Sequence, residues 1–529
     1  MKKELEKIIQ KTVKDLFDIE EAGFAVEYPK DEKFGDYATN AALVLAKKVG
    51  KSPMEIAENL KSQIASLKSG AFGRIEVAPP GYINFYLSEK FLQDKVLEIQ
   101  KRGEDFGKSA IGKGIKINNE FISANPTGPL HLGNARGGFQ GDSISKILKK
   151  AGFEVTNEYY INDAGEQVMK LGHSVLKDSE AAYAGDYIDK LNKKFGSESD
   201  LRLIGEKSTK IIIDEIIKKT IEEKMKINFD IWMSEKSLYD DGYVDKVIAR
   251  LKDKGITYEQ EDALWLRTTD FGDDKDRVLV KGDGQKTYFA SDCGYILNKI
   301  ERGFDRFIET WGADHHGYIN RFQAAAEALG FQRNNLKFII VQLVRLVKNG
   351  KEVRMSKRAG NVVYIDELIE KVGHDVTRFF FLMYSPDTHM NFDLGLAEER
   401  SQKNPVFYVQ YAHARICSIL RKAEDAGMGY GADSNDLSLL TDEKELGLVR
   451  ELNKFPELVE ELAQSYEVHK LPYYAIKLAD KFHSFYNGCK VIDEENPALT
   501  KARISLITAV RIVLAETLDL IGVSAPSKM

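Results

Sequence analysis

The most unusual chemistry of this chain sits in sixteen residues, Ser123 to Gly138, which read SANPTGPLHLGNARGG and carry two prolines, a histidine and four glycines between apolar segments. In such a stretch His131 can donate to a phosphate oxygen, and Gly133 leaves bare backbone against which a flat ring or an anion can lie. By itself the pattern also fits a structural loop with an incidental histidine. A second stretch, Val353 to Asn361, reads VRMSKRAGN and sets three cations beside a serine and a glycine. It follows an apolar run at 338–347 and a turn at 348–351, which makes it a surface loop able to bring charge to a triphosphate as the transition state gains it. Alone it would pass for a solvated charge run. No GxxxxGK[ST] loop occurs, and GDGQK at 282–286 reads as a hairpin turn, so a nucleotide here is held without a Walker loop.

The elements around these residues set their geometry. IKINNEFIS, ending at Ser123, alternates apolar and polar residues as a strand does, and Ile144, Ile147, Leu148 and Ala151 then recur at helical spacing. The sixteen residues are therefore a strand-to-helix turn, where ligands meet the carboxyl end of a strand in an α/β sheet. EVTNEYYIND, DRVLV, KTYFASD, FDRFIET and KFIIVQLVRLV also read as strands, several continuously apolar as buried parallel strands are. The expected architecture is α/β: a doubly wound parallel-sheet (Rossmann-type) domain over 109–374 with a helix-rich insertion near 175–260. Residues 1–108 read as a separate α/β unit joined through the connector GKSAIGKG. From 375 to 529 the period is 3.6 and an all-α helical bundle is expected, with Leu448, Leu452 and Phe455 on one face and a last helix closed by Gly522.

Length and composition bound the rest. At 529 residues, roughly three or four domains are expected. The net charge of −6 leaves any polyanion to a local basic patch. No apolar run of ~18 residues is present, and the amino terminus alternates charges with Leu5, Ile8, Ile9 and Val13, which is not a secretory signal. No membrane association and a cytoplasmic location are expected. Cys293, Cys417 and Cys489 lie far apart, so neither zinc nor a disulfide framework is expected.

Taken together, HLGN after a strand and MSK on a loop more than 200 residues later resemble the HIGH and KMSKS signatures of class I aminoacyl-tRNA synthetases. SANPTGPLHLGNARGG, YYINDAGEQ, WGADHHGY, VRMSKRAGN and DVTRFFFLMYSPDTHMNFDL, in that order, narrow the resemblance to the arginyl-tRNA synthetases of bacterial type. It implies activation of arginine with ATP, carried with Mg2+, and transfer of arginine to the 3′ end of tRNA(Arg), with the chain acting as a monomer. By the match, His131 and Asn134 flank the ATP phosphates, Gly133 lies beneath adenine, and Arg354, Ser356 and Lys357 form the clamp. Asn134 stands where the signature ends in histidine, and Arg354 where the first lysine of KMSKS falls. The match puts Glu120 and Asp292 against arginine, since a guanidinium pairs with carboxylates in a fixed frame. It adds Tyr288, Ser123 and Asn125, with Asp314 or His315 completing the pocket. His315 and His316, adjacent on an expected strand, would point opposite ways and are not a metal pair. DVTR at 375–378 opens an expected anticodon-binding domain in which Tyr408, Tyr411 and Arg415 meet RNA, and GYINFYLS nominates Tyr82 and Asn84 at the other end. The competing readings are a class I synthetase for another amino acid, or a silent RNA-binding relative.

Overall fold

A computed structural model describes residues 1–66, 70–353, 363–427 and 436–529. Five parallel strands form its central sheet, in the spatial order Leu336–Val341, Arg306–Gly312, Lys116–Glu120, Glu154–Ile161 and Ile231–Ser234. The first strand in the chain lies in the middle. The next two are added on one side and the last two on the other, so the order reverses between Lys116–Glu120 and Arg306–Gly312 and opens a crevice at their carboxyl ends. Helix Leu132–Lys150, hereafter the site helix, follows the first strand at that crevice. Its small residues let it lie close: a Cβ at Gly141 would meet the Phe121 ring at 2.3 Å, and one at Gly138 would meet Ile122 Cδ1 at 2.8 Å.

Three expected strands behave differently. DRVLV forms Arg277–Val280, but in a separate antiparallel sheet with Ala263–Leu266 and Thr257–Gln260. KTYFASD is no strand: it opens helix Tyr288–Glu301, because Thr287 caps it by accepting from the Ala290 amide at 3.2 Å and Phe289, Cys293 and Ile296 bury one helical face. A six-residue window satisfies both periods, and the cap decides between them. KFIIVQLVRLV breaks at Gln342 into Leu336–Val341 and Val344–Lys348, the latter paired in parallel with Met390–Asp393 in a third sheet. The break has a clear cause. The Gln342 amide donates to Pro386 O (2.8 Å), and its carbonyl accepts from the wholly buried Arg136 of the site helix, which also donates to Ser385 O and Thr388 O. Within the helix-rich stretch near 175–260, Ile231–Ser234 supplies the edge strand of the main sheet.

An antiparallel sheet of Val26–Glu27, Tyr37–Thr39, Tyr82–Leu87 and Phe72–Ala78, backed by helices Lys2–Phe17, Ala41–Val49 and Pro53–Ser66, forms the amino-terminal unit. Beyond His374–Leu382 the described chain is helical apart from strand Met390–Asp393, and its last helix is Pro497–Ile521. Leu448 and Leu452 bury one face, and Phe455 continues it after a break at Lys454. Gly522 closes the last helix at φ 82°, and a Cβ there would also strike the Arg378 guanidinium at 2.2 Å. That guanidinium, buried, donates to Ile521 O, Asp142 and Ser143. Ser143, Lys146 and Lys150 of the site helix then bond Ile521, Asp519 and Glu516 in turn, so the last helix is laced along the site helix. Among the described residues no helix is long and apolar enough to cross a membrane.

Candidate active site

A cleft of about 1070 Å³ opens where the strand order reverses. Its two ends are built differently.

At one end lies the amino terminus of the site helix. His131 is the N-cap: its Nδ1 accepts from the Gly133 and Asn134 amides (3.1 and 3.3 Å), while Asn134 Oδ1 accepts from the His131 amide at 3.1 Å. This capping box settles both side chains. With Nδ1 accepting, the imidazole is neutral and carries its proton on Nε2 as a donor. Burial in the cleft wall pushes its pKa below the ordinary value, against the pull of the Asp314 charge. Asn134, its oxygen in use, keeps its NH2 free to donate. The cap also consumes two backbone amides that a helix start usually offers an anion, so this end binds through two side-chain donors and the helix dipole. A Cβ on Gly133 would crowd the His131 ring at 3.1 Å. Tyr364 forms an isolated antiparallel bridge with His131, and the Ile365 amide donates to Leu130 O at 3.0 Å. The chain carrying VRMSKRAGN therefore returns against this turn. Arg354, Ser356 and Lys357 themselves lie outside the described residues.

The other end is acidic and buried. Glu120, at the carboxyl end of the first strand, has one oxygen occupied by Tyr295 (2.7 Å) and Lys299 (2.6 Å); the other accepts from Ser123 Oγ at 3.0 Å and faces the cleft. Ile122 and Ser123 hold φ of 67° and 36°, a left-handed pair strained for non-glycine residues. Ser123 Oγ, accepting from the Tyr160 amide at 3.0 Å, fixes the turn. Tyr288 and Asp292 share one face of their helix a turn apart. Asp292 accepts from Tyr318, and burial raises its carboxyl to about 6, opposed by that bond and by Arg321. Tyr288 is 54% exposed, and its hydroxyl accepts from the Glu166 amide at 3.1 Å over Gly165, which explains the glycine of YYINDAGEQ. In the same motif Asp163 accepts from Ser234 Oγ and the Lys236 amide, fixing the short helix that presents Glu235 to the cleft. Burial, then the Asp292 charge, raise Glu235 to about 7.

Glu235, Glu309 and Tyr318 are among the cleft residues that escaped the sequence reading. Glu309 left a trace, being an acid inside the apolar strand FDRFIET, and Tyr318 closes the motif WGADHHGY, whereas Glu235 carries no local signal. Asp314 and His315 line the rim with exposed side chains in a 3₁₀ turn, not on the expected strand, and lie 3.5 Å from each other. Asn125 sits exposed at the mouth, accepting from Asn162 at 3.2 Å. Among the described residues no three His, Cys, Asp or Glu side chains converge as metal ligands. Away from the cleft, Tyr408, Tyr411 and Arg415 share the half-buried face of Pro405–Asp425 against Lys470–Gly488: Tyr408 donates to Asp480 (2.6 Å), and Arg415 donates to the hydroxyls of Tyr411 and Tyr486. Tyr82 is exposed; Asn84, 4% exposed on the same strand, is covered, because it lies between two neighbouring strands.

Comparison with known proteins matches three family models: "Arginyl tRNA synthetase N terminal domain" at residues 3–87, "tRNA synthetases class I (R), catalytic domain" at 181–379 and "DALR anticodon binding domain" at 409–529. The arginine–tRNA ligase of Bacillus subtilis (strain 168) is 45% identical over 525 residues, covering 95% of this chain and 94% of that protein. That of Listeria monocytogenes serotype 4b (strain F2365) is 47% identical over 524 residues, with the same coverage. The Thermus thermophilus arginyl-tRNA synthetase structure superposes with a TM-score of 0.78 at 22% identity over 100% of both chains, a likeness of fold.

Proposed function

The chain belongs to the arginyl-tRNA synthetase family, and from that premise we infer that arginine and ATP meet in the cleft at opposite ends. The enzyme is an arginine–tRNA ligase: it activates arginine with ATP to the adenylate, then transfers arginine to tRNA. The division of labour within the cleft is our reading. His131 Nε2 and the Asn134 amide donate to the phosphates of ATP, which enters with Mg2+ as a substrate complex, and the purine lies over Gly133. Arg354, Ser356 and Lys357 close on the leaving pyrophosphate, consistent with the return of the chain at Tyr364 against His131. Arginine extends its guanidinium to the other end. Asp292 and Glu235 supply carboxylates there, and Glu120, with one oxygen already committed, offers a single acceptor. Ser123, Asn125 and Tyr288 flank the substrate, with Asp314 and His315 at the rim.

The observation that carries this reading is the opening of a helix amino terminus and a set of buried carboxylates into one cleft. The carboxylate of arginine then attacks the α-phosphate in line, so positioning and charge stabilisation do the work that a general base does elsewhere. A lysine substrate would leave the acceptors meant for the planar fork unpaired, which provides discrimination without editing. The domain division at 108/109 and 374/375, anticodon contact by Tyr408, Tyr411 and Arg415, and further tRNA contact at Tyr82 belong to the same proposal, whereas the covered Asn84 is left out of it. Action as a cytoplasmic monomer belongs to it as well. The direct test is pyrophosphate exchange with tRNA present: Lys357→Ala should lower arginine activation by roughly 10²–10³. Unchanged turnover would remove Lys357 from the clamp.

A further inference from the structure

Beneath the acidic end of the cleft lies a second layer of charged side chains built on helix Tyr288–Glu301. Lys299, 0% exposed on helix Tyr288–Glu301, places its ammonium 2.6 Å from Glu120 Oε2 and 2.7 Å from Glu309 Oε1. Tyr295, a turn earlier, shares its hydroxyl between Glu120 Oε2 (2.7 Å) and Glu158 Oε1 (2.6 Å). Glu158 is otherwise well served: Arg302 grips both of its oxygens and Asn118 donates to one. The layer thus holds three carboxylates, Glu120, Glu158 and Glu309, against two cations, Lys299 and Arg302, and Asp292 and Glu235 add negative charge from the cleft side.

Such an excess has to be relieved by a proton or by an incoming cation. We propose that Lys299 is a positioning residue for arginine: its ammonium, pinned between Glu120 and Glu309, holds Glu120 turned so that one oxygen faces the substrate. The proposal rests on the reading that Glu120 meets arginine. The surrounding electrostatics agree with it. Burial works against the charge on Lys299, but Glu120 and Glu309 outweigh burial and hold its pKa above the ordinary value. Burial and the neighbouring Glu120 charge raise Glu309 to about 8. Arg302 and Tyr295 bonds, with the Lys299 charge, overcome burial at Glu158 and keep it below its ordinary value. Remove the ammonium, and the layer is left with a larger uncompensated negative charge.

The test is the arginine KM of the full-length enzyme in pyrophosphate exchange with tRNA, from pH 6.5 to 9, for wild type, Lys299→Met and Glu120→Gln. Lys299→Met should raise the arginine KM about tenfold, with the ATP KM unmoved, because Glu120 loses the charged bond that orients it. The defect should shrink as pH rises and any proton taken up by the uncompensated carboxylates of the layer is released. A merely structural lysine would lower thermal stability without this pH-dependent split, and that result overturns the proposal. If Lys299→Met fails to fold, Lys299→Met/Glu309→Gln removes the lysine together with one of the two carboxylates it spans; a raised arginine KM that falls with pH supports the proposal, and a wild-type profile overturns it. Glu120→Gln separates the two layers of argument. If it leaves the arginine KM unchanged, the placement of Glu120 against arginine fails; if it raises the KM while Lys299→Met does not, only the role of Lys299 fails.

Discussion

With ATP and arginine placed as proposed, the two ends of the cleft solve recognition in opposite ways. The nucleotide end uses neutral donors fixed by local geometry: a histidine whose tautomer is set by the helix it caps, an asparagine whose oxygen is committed to the same box, and a glycine that keeps its side clear. The arginine end uses charge held out of water, with Glu120, Asp292 and Glu235 facing the cleft and a braced layer behind them. Phosphates carry their charge into any site, so donors and shape suffice for them. A guanidinium is told from an ammonium only by acceptors in fixed positions, and fixed buried acceptors need controlled protonation.

Breaking one end should leave the other intact, and the largest such effect is expected at Asp292. Asp292→Asn should cut kcat/KM for arginine roughly a thousandfold, the scale of leaving a buried charge unpartnered, with the ATP KM within about twofold. Parallel losses for both substrates would erase the division. His131→Asn keeps an acceptor at the N-cap but removes the Nε2 donor; activation should fall roughly a hundredfold with the arginine KM preserved and the melting temperature near wild type. A stability loss without a rate loss would make His131 a cap and nothing more.

Smaller effects sharpen the contrast through pH. Glu235 and Asp292, raised to about 7 and about 6, take up protons in that order as the medium is acidified. Wild-type kcat/KM for arginine should therefore be flat above about pH 8 and fall as pH drops through 7 toward 6. A flat profile would place the guanidinium elsewhere. The smallest effect concerns stability without substrate. A carboxyl with a folded-state pKa above its unfolded value binds protons more tightly when folded, so its contribution is lost as pH rises through the folded value. Glu235→Gln should gain a few degrees of melting temperature over wild type between about pH 6 and 8.5. Measuring the difference between variants cancels His131, His413 and His483, whose lowered pKa values pull the other way.

Much of this was legible before any coordinates, for identifiable reasons. The turn from Ser123 to Gly138 announced itself because glycine, proline and a capping side chain are needed locally, and local needs are written in adjacent residues. The helical last third was equally plain from its spacing. TYFASD was misread as a strand because six residues fit both periods and the cap Thr287 lies at their edge. The break at Gln342 was invisible because its cause, Arg136, is some two hundred residues away. Glu235 reached the cleft unseen for the same reason: its place is set by Asp163, in the loop after strand Glu154–Ile161. Local chemistry shows in the sequence, and long-range bracing does not.

The lacing of the last helix along the site helix limits how this enzyme can be taken apart. Ile521, Asp519 and Glu516 are bonding partners of Ser143, Lys146 and Lys150, and Arg378 bridges Asp142 to Ile521. A fragment cut after Tyr364, the last residue lining the cleft, would keep the whole cleft yet strip the polar flank of the helix that begins at His131. A unit that preserves that helix as it stands is thus not the sheet with its own helices but one that retains the final turns of Pro497–Ile521.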